Sequence, residues 1–447
     1  MNDRRKFYKT VFLLVLPMAL QNLINVGITS TDVFMLGKVG EKALSGASLA
    51  GQVQFIMTLI FFGITSGAAV LIAQYWGKDD IPSIEHIFGI AMKFSIAVAV
   101  LFTILALCFS YPIMKIFTSD PLVIEEGVKY LRIVCLSYFF VSITMIYLNT
   151  MRSIERVLIS TIVYFCSFLI NICFNSVLIF GLFGAPRLEV QGAAIGTLIA
   201  RICEFLIILY YNKKKNRIVP FKLSFLGLKD DMLRKDFIKY SMPVILNELM
   251  WGAGVSLNAA ILGHLGSSVT AAHSVAQVTR QLALVIGFGI SNATAIMIGK
   301  AIGEGNTEVA KTYGSRFVKL SLLVGALGSV VVLIARPIVM RTMSLPDTSI
   351  KYLSVMMFIM AYYVIAQSFN TTMVVGVFRA GGDTKFGLYL DIITMWGGSI
   401  FVGALAAFVF KFSVPVIYII LLCDEIIKIP FTAYRYKSYK WLNNVTR

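Results

Sequence analysis

Four polar residues lie inside long apolar runs of the sequence, where side chains of these types could bind or release an ion. They are Asp32, Asn171, Asn175 and Thr197. Asn171 and Asn175 are four residues apart, so a helix would present both on one face. A carboxylate, two amide oxygens and a hydroxyl are ligands that a hard cation such as Na⁺ accepts, and the carboxylate could carry a proton instead. The pattern therefore predicts an ion-coupling site for H⁺ or Na⁺.

An acid and a base form a second candidate site. Glu248 and Arg280 both fall near the middle of apolar runs. An ionisable group at that depth costs at least about 2.5–3.5 kcal/mol to insert, which makes it a functional hypothesis by default. If the two helices are antiparallel neighbours, the residues could form a buried structural ion pair. Otherwise Glu248 could line a cavity and bind a cation or a proton. The sequence leaves both interpretations open.

Two prolines interrupt the first and seventh apolar runs at equivalent places. Pro17 and Pro243 each remove one backbone hydrogen bond and should kink their helices. A bend near Pro17 would change the exposure of Asp32, so this proline is a candidate conformational switch. A static kink is the alternative.

Membrane-spanning helices must position these side chains, because the composition does not suit a soluble protein. Of 447 residues, 58% are hydrophobic and only 14% are charged, with a mean hydropathy of +0.81. Soluble domains carry about 25% charged residues, whereas a run of about 20 apolar residues crosses a bilayer as a helix. We predict twelve such runs, at 10–36, 48–75, 88–111, 129–150, 158–181, 190–211, 238–262, 270–299, 316–335, 351–376, 386–410 and 414–434.

The positions of Lys and Arg predict the orientation of these helices. With the N-terminus inside, 27 of these residues fall in inner segments and 10 in outer ones, which places both termini in the cytoplasm. The formal net charge of +17 then anchors the chain to an anionic inner leaflet. Because the basic residues occupy short loops instead of one soluble face, no nucleic-acid partner is expected.

A shift of 226 residues aligns the chain with itself. The matched positions include Pro17 with Pro243, Gly40 with Gly266, Phe62-Gly63-Ile64 with Phe288-Gly289-Ile290, and Gly77 with Gly303. Each half has six spans, so both halves enter from the same side as parallel repeats, an arrangement suited to alternating access. The predicted domains are an N-terminal six-helix lobe (1–211), a basic cytoplasmic linker (212–237) and a C-terminal six-helix lobe (238–447).

Several of these residues lie in motifs that resemble the multidrug and toxic compound extrusion (MATE) family. The motifs are Leu16-Pro17-Met18 followed by Asp32, Gly37 and Gly40; the loops Gly77-Lys78 and Gly303-Glu304-Gly305-Asn306; and Arg379-Ala380-Gly381-Gly382-Asp383-Thr384, which is similar to the family's RGxGDT element. The resemblance covers about residues 10–440. It implies an all-α fold of twelve transmembrane helices in two six-helix repeats, in a bacterial cytoplasmic membrane. It also implies efflux of amphipathic organic cations coupled to H⁺ or Na⁺ entry.

The resemblance also implies roles for individual residues. Asp32 matches the family's first-span acid, and the stretch from Asn171 to Asn175 resembles the fifth-span NxxxD element of members with a cation site in the N-terminal lobe. Thr197 fits the matching sixth-span threonine. Asn175 replaces the Asp of those members, which weakens a Na⁺ site and leaves proton coupling through Asp32 open.

In the C-terminal lobe, Glu248 matches an acid that many members carry in the seventh span. Some members also have an acid in the tenth span, where this chain has Gln367 and Asn370. With Arg280, these residues form the predicted site for substrate or a second cation. The expected partners are small organic cations and the lipid bilayer. We expect no cofactor beyond the coupling ion, no obligate protein partner and a monomeric chain.

Three other functions are weighed against efflux. A flippase for a lipid-linked oligosaccharide would share the repeat, but it needs a strongly basic cavity, and the central ionisable residues here are mainly acidic. An intramembrane enzyme would need a motif such as HExxH or GxSxG, and a channel a filter such as TVGYG; none is in the sequence. The GxxxxGK[ST] motif for ATP is absent too, so an ion gradient is the expected energy source.

Overall fold

The computed structural model describes residues 2–216, 218–220, 222–228, 230–342 and 346–447. Arg217, Phe221 and Lys229 of the predicted linker lie outside the described residues. The described part contains sixteen α-helices and no strand. The helices are α1 Asn2–Val39, α2 Glu41–Gly77, α3 Ile81–Cys108, α4 Ser110–Phe117, α5 Pro121–Val134, α6 Tyr138–Ser153, α7 Leu158–Phe180, α8 Glu189–Lys214, α9 Asp231–His264, α10 Ser267–Gly303, α11 Thr307–Thr342, α12 Asp347–Thr371, α13 Thr384–Asp391, α14 Phe401–Ala404, α15 Val414–Leu422 and α16 Asp424–Lys437.

Eleven helical stretches in the described residues are long and apolar enough to cross a membrane, so the chain is a multi-pass membrane protein. Three of them continue through short 3₁₀ or π-helical turns, over Pro121–Ser153, Asp347–Phe378 and Thr384–Val409. The predicted all-α membrane fold is confirmed.

The twelfth predicted run, 414–434, is also helical but is divided at Cys423, between α15 and α16. α16 opens with the charged residues Asp424, Glu425 and Lys428, all of which are buried. Neither helix alone has the length that a span requires, because α15 has 9 residues and α16 has 14. The interruption coincides with polar side chains that the chain buries.

The internal repeat is visible in the helix boundaries. α2 and α10 both have 37 residues, and a shift of 226 superposes their first and last positions. The turns that precede them contain Gly40 with φ +155° and Gly266 with φ +124°, values that glycine adopts without steric cost. The predicted repeat is therefore confirmed for this part of the chain.

The chain forms two compact units. One contains Leu20–Ala68 and Asp80–Lys239; the other contains the chain up to Ala19, Ala69–Asp79 and Tyr240–Arg447. The N-terminal part of α1 and the C-terminal end of α2 thus belong to the unit that holds the second repeat. The boundaries of the two sequence lobes and of the linker stay a prediction.

Within the first unit, α7 and α8 pack closely and hold the residues of the predicted ion site. Two glycines of α8 permit the approach. A methyl group at Gly192 would meet the backbone of Leu178, and one at Gly196 would overlap the side-chain oxygen of Asn175. An apolar cluster that includes Leu36, Ala47, Ile179 and Ala193 joins these helices to α1 and α2.

Candidate functional site

The four residues predicted for ion coupling form one hydrogen-bonded chain. Asn175 Nδ2 donates to Asp32 Oδ1 over 2.7 Å and to Asn171 Oδ1 over 3.2 Å. Asn171 Nδ2 in turn donates to Thr197 Oγ1 over 3.5 Å. α1 supplies the carboxylate, α7 the two amides and α8 the hydroxyl. The structure therefore brings all four side chains together; the ion-coupling role itself stays a prediction.

Most of these side chains are buried, which fixes the orientation of the Asn175 amide. Asn171, Asn175 and Thr197 are buried, while Asp32 is half-buried. Asn175 Oδ1 lies against Gly196 and has no hydrogen-bond partner. An amide oxygen without a partner is costly in an apolar environment. The two bonds of the Asn175 NH₂ group are thus what fixes its orientation.

A cavity of about 470 Å³ opens on this chain of side chains. Asp32, Asn171 and Thr197 line it, together with apolar and uncharged polar residues of α1 and α2. Sequence reasoning missed the remaining polar lining residues, among them Gln52, Thr58, Tyr130, Ser167 and Arg201.

Arg201 both pairs with a neighbouring acid and lines the cavity. It forms a local ion pair with Glu204, with Nη1 at 2.5 Å from the glutamate oxygen. The same arginine also lines the cavity with Asp32. Glu204 is buried and its charge neutralises that of the Arg201 guanidinium. Of the two charged residues that line the cavity, Asp32 is therefore the one whose charge no ion pair neutralises.

The position of the Asn175 amide bears on which ion this site could bind. A cation at this site would need oxygens of Asp32 and Asn171 to face it, but the NH₂ group of Asn175 occupies the space between those two oxygens. A carboxylate that accepts a proton is compatible with the same geometry, since a neutral carboxyl still accepts the Asn175 hydrogen bond.

The structure decides against the pairing of Glu248 with Arg280, one of the two interpretations that the sequence left open. Glu248 Oε1 is bound by Arg379, with Nη2 at 2.8 Å, and not by Arg280. Arg379 also donates to Asn247 Oδ1 over 2.9 Å. The pairing was missed because the motif that contains Arg379 follows the tenth apolar run, and nothing in its spacing indicates a partner in the seventh.

This ion pair is one end of a larger charged network. Asn247 donates to Asp391 over 2.5 Å, and Asp391 is paired with Lys428 at 2.8 Å. Lys428 also contacts Asp424 at 3.0 Å and Glu425 at 3.2 Å. The network comprises four carboxylates, two cations and two amides: Glu248, Asp391, Asp424, Glu425, Arg379, Lys428, Asn247 and Asn370.

Two predicted members of the second site, Asn370 and Gln367, have different sets of partners. Asn370 joins the network, where its amide donates to Glu425 Oε2 over 2.8 Å. Gln367 instead accepts a hydrogen bond from Arg280 over 3.3 Å. Arg280 also lies over the ring of Tyr363, at 5.8 Å from its centre. The four residues predicted as one site thus form two separate groups.

A local spacing pointed to part of the network. Lys428 follows Asp424 by four residues, a spacing that favours a contact on one helix face, and the two side chains do pair. Asp391 contacts Asn247 and Lys428. The link between them depends on tertiary packing that no spacing reports.

Both predicted kink prolines lie inside continuous helices. Pro17 is within α1 and Pro243 within α9, and each helix continues on both sides of its proline. Their role as conformational switches stays a prediction.

Comparisons with known proteins agree with this fold. The MatE family model matches residues 17–177 and 243–405, two stretches that begin 226 residues apart. The transporter YisQ of Bacillus subtilis is 23% identical, over 97% of this chain and 95% of its own. A probable multidrug resistance protein, NorM, of Thermotoga maritima is 24% identical, over 97% of this chain and 93% of its own.

Solved structures show the same architecture. A mutant of the MATE transporter VcmN from Vibrio cholerae superposes with a TM-score of 0.88 at 16% identity, covering 98% of both chains. A MOP superfamily transporter from Pyrococcus furiosus gives a TM-score of 0.87 at 17% identity, covering 97% of this chain and 96% of that one. At this identity the likeness concerns the fold.

Proposed function

Because the chain belongs to the MatE family, whose members are secondary transporters and not enzymes, we propose that it exports amphipathic, mainly cationic organic compounds in exchange for an ion. We further propose that the exchanged ion is H⁺ and that Asp32 carries it. The proposed location is a bacterial cytoplasmic membrane, with both termini in the cytoplasm and the chain acting as a monomer.

One observation carries this proposal: a single unneutralised carboxylate lines a cavity large enough for an organic compound. The cavity of about 470 Å³ falls in the range of about 300–1,000 Å³ typical of small-molecule sites. Apolar side chains such as Val33, Leu36 and Phe55 line it beside Asp32. This combination favours a ligand with an apolar body and a positive charge.

The proposed mechanism is competition for Asp32. When Asp32 is ionised, its charge attracts a cationic compound into the cavity. When a proton enters, the carboxyl becomes neutral and the attraction is lost, so the compound leaves. The hydrogen bond from Asn175 persists in both states, because a neutral carboxyl retains an accepting oxygen. One elementary charge moving down 100 mV supplies about 2.3 kcal/mol, so an ion gradient can drive the cycle.

We propose the charged network as the second ionisable site of the transporter. Its four carboxylates outnumber its two cations, so protons or a bound cation would bring it closer to neutrality. Its carboxylates are less available than Asp32, because each of them already forms an ion pair with Arg379 or Lys428.

The test is ethidium transport in proteoliposomes of the purified protein, driven separately by a pH gradient and by a Na⁺ gradient. We expect the pH gradient alone to drive transport and Asp32→Asn to reduce it at least tenfold. Transport driven only by Na⁺ would contradict proton coupling. If neither gradient moves ethidium or a panel of other organic cations, the efflux proposal fails, and flipping of a lipid-linked oligosaccharide would be assayed next.

Asp120→Asn is the matched control. Asp120 is the partner of Lys42 outside the helical spans, and its carboxylate caps the start of α5. The hydrogen bond from Lys42 lowers the pKa of the Asp120 carboxyl, so this residue stays charged over the pH range of the assay. Its substitution removes one negative charge without touching the cavity, and transport should stay near the wild-type rate.

A further inference from the structure

The second unit contains a small enclosed cavity around Arg280. It has a volume of about 30 Å³, enough for one or two water molecules or a monatomic ion. Its polar lining consists of Asn258, His273, Gln277, Arg280, Tyr363, Tyr418 and Asp424.

This cavity is the repeat counterpart of the cavity that contains Asp32. Under the shift of 226 residues, lining residues of α1 and α2 correspond to lining residues of α9 and α10. The matched lining positions are Thr29 with Val255, Asp32 with Asn258, Leu36 with Leu262, Ala47 with His273, Gly51 with Gln277, and Gln54 with Arg280.

The charge at these matched positions is inverted. Asn258 stands where the first repeat has Asp32, and Arg280 stands where it has Gln54. The first cavity thus presents an acid and the second a base. The only carboxylate in the second cavity's lining, that of Asp424, is bound to Lys428 at 3.0 Å.

Arg280 has no anionic partner although it is buried. Its guanidinium donates to the side-chain oxygen Oε1 of Gln367 and lies over the ring of Tyr363, and its Nε has no hydrogen-bond partner. Only 8% of the residue is exposed. A buried charge without an ion-pair partner is strongly unfavourable, so an anion within reach of Arg280 would stabilise it.

Two further donors of the lining are unpaired. The Tyr418 hydroxyl and His273 Nδ1 are both buried without a partner. Gln277 Nε2 lies 3.2 Å from His273 Nε2, and since an amide nitrogen can only donate, the proton of a neutral imidazole must be on Nδ1. Guanidinium, hydroxyl and imidazole N–H groups therefore converge on the cavity. The Asn258 amide, whose oxygen also lacks a partner, can present its NH₂ group by rotation.

We propose that this cavity binds a compact monovalent anion, either chloride or the carboxylate group of a small molecule. The anion neutralises Arg280 and accepts hydrogen bonds from Tyr418 and His273. The first repeat would then hold a positive ion and the second a negative one at corresponding positions. The proposal concerns binding only, so it can be tested independently of transport.

Trp251 lines the cavity and provides the readout, because bromide quenches indole fluorescence on contact. Purified protein in gluconate buffer would be titrated with bromide, and Trp251→Phe would identify the responding fluorophore. We expect saturable quenching of Trp251 that chloride reverses by competition. Competition by formate as well as chloride would indicate that the site accepts carboxylates; competition by chloride alone would indicate a halide site.

Arg280→Gln should weaken bromide binding at least tenfold, whereas Arg336→Gln should leave it unchanged. Arg336 lies in the same unit and is bound to Ser354, away from the cavity. Should Arg280→Gln fail to fold, Tyr418→Phe keeps the test valid, because the hydroxyl that it removes has no protein partner. We expect it to weaken bromide severalfold without loss of stability. Unsaturable quenching that is identical in wild type and both cavity variants would overturn the proposal and leave water as the occupant.

Discussion

At the scale of single residues, we propose that the amide of Asn175 determines which ion the first cavity can accept. Its NH₂ group makes hydrogen bonds to the two oxygens that a cation would need, those of Asp32 and Asn171. It therefore acts as a fixed, weakly positive substitute for a bound cation. A carboxylate at this position would have no hydrogen to donate and would leave the space between the oxygens open to an ion.

Asn175→Asp should therefore convert the site from proton to sodium dependence. Two carboxylates and the Asn171 oxygen would form the oxygen-rich set that Na⁺ prefers, while two neighbouring carboxylates repel each other unless a cation or proton lies between them. We expect ethidium transport by this variant to respond to a Na⁺ gradient, measured in the same proteoliposomes.

Asn175→Leu is the corresponding control, since it removes the amide and adds no charge. It should reduce proton-driven transport without introducing a Na⁺ response. A Na⁺ response in the leucine variant, or none in the aspartate variant, would show that residue 175 does not set ion choice.

A second prediction concerns the pair of Glu248 and Arg379. Arg379→Gln leaves a buried carboxylate without its counter-charge, a change that costs about 3–5 kcal/mol of folding free energy. Glu248→Gln combined with Arg379→Gln removes both charges and should recover much of that loss. The measurement is the thermal unfolding midpoint of each variant in detergent. Equal midpoints for the single and double variants would mean that the pair is not coupled.

The candidate ion site could be predicted from the sequence because each member combines a ligand chemistry with an apolar surrounding. Asp32 and Asn171 needed no knowledge of tertiary contacts to be noticed. The partner of Glu248 could not be predicted, since Arg379 lies beyond the tenth apolar run and reaches Glu248 only through tertiary packing. Spacing along one helix carries no information about such a contact.

At the scale of helices, the close packing of α7 and α8 holds the ion site in place. Gly192 and Gly196 let the backbone of α8 approach α7 directly. Helix interfaces in membranes use small residues for this purpose, because they permit close contact. The position of Thr197 next to Asn171 follows from that approach.

Gly196→Ala should disrupt the site as strongly as a substitution of Asn175 itself, because the added methyl group would overlap the Asn175 side-chain oxygen. We expect proton-driven ethidium transport to fall at least tenfold. Gly263→Ala is the matched control: it adds the same methyl group to a helical glycine that does not line the cavity, where nothing lies within 4 Å. Similar losses in both variants would contradict this explanation.

Helix positions were predictable and helix interruptions were not. Every predicted apolar run is helical, because about 20 apolar residues in a bilayer leave few alternatives. The π-helical stretches Thr372–Phe378 and Ile392–Ile400 cannot be recognised from the hydropathy of the sequence. The break at Cys423 could be rationalised only after the structure showed where Asp424 and Lys428 find their partners.

At the scale of the whole molecule, the C-terminal segment joins distant parts of one unit. Trp441 is fully buried and stacks on Tyr436. Gln74, near the end of α2, donates to the backbone of Ala380 and Asn443 and accepts from the backbone of Val445. The segment after α16 is therefore part of the packed unit.

Trp441→Ala should destabilise the protein by about 3–5 kcal/mol, the usual cost of removing a buried aromatic side chain. The measurement is again the thermal unfolding midpoint in detergent. Tyr434→Ala is the control, because Tyr434 lies on the neighbouring helix and is 72% exposed. If both variants unfold at the wild-type temperature, the segment contributes nothing to stability.

The matched lengths of α2 and α10 also have an evolutionary consequence. Because positions in the two halves correspond one to one across these helices, point mutation alone can move an ionic group to the equivalent place in the other half. Asn258→Asp with Arg280→Gln would give the second half the side chains found at those positions in the first. Descendants of a duplicated ancestor could thus exchange the polarity of their halves without any insertion or deletion. Whether the acid occupies position 32 or position 258 would then depend on the ancestry of the chain, because the helices of either half can hold it.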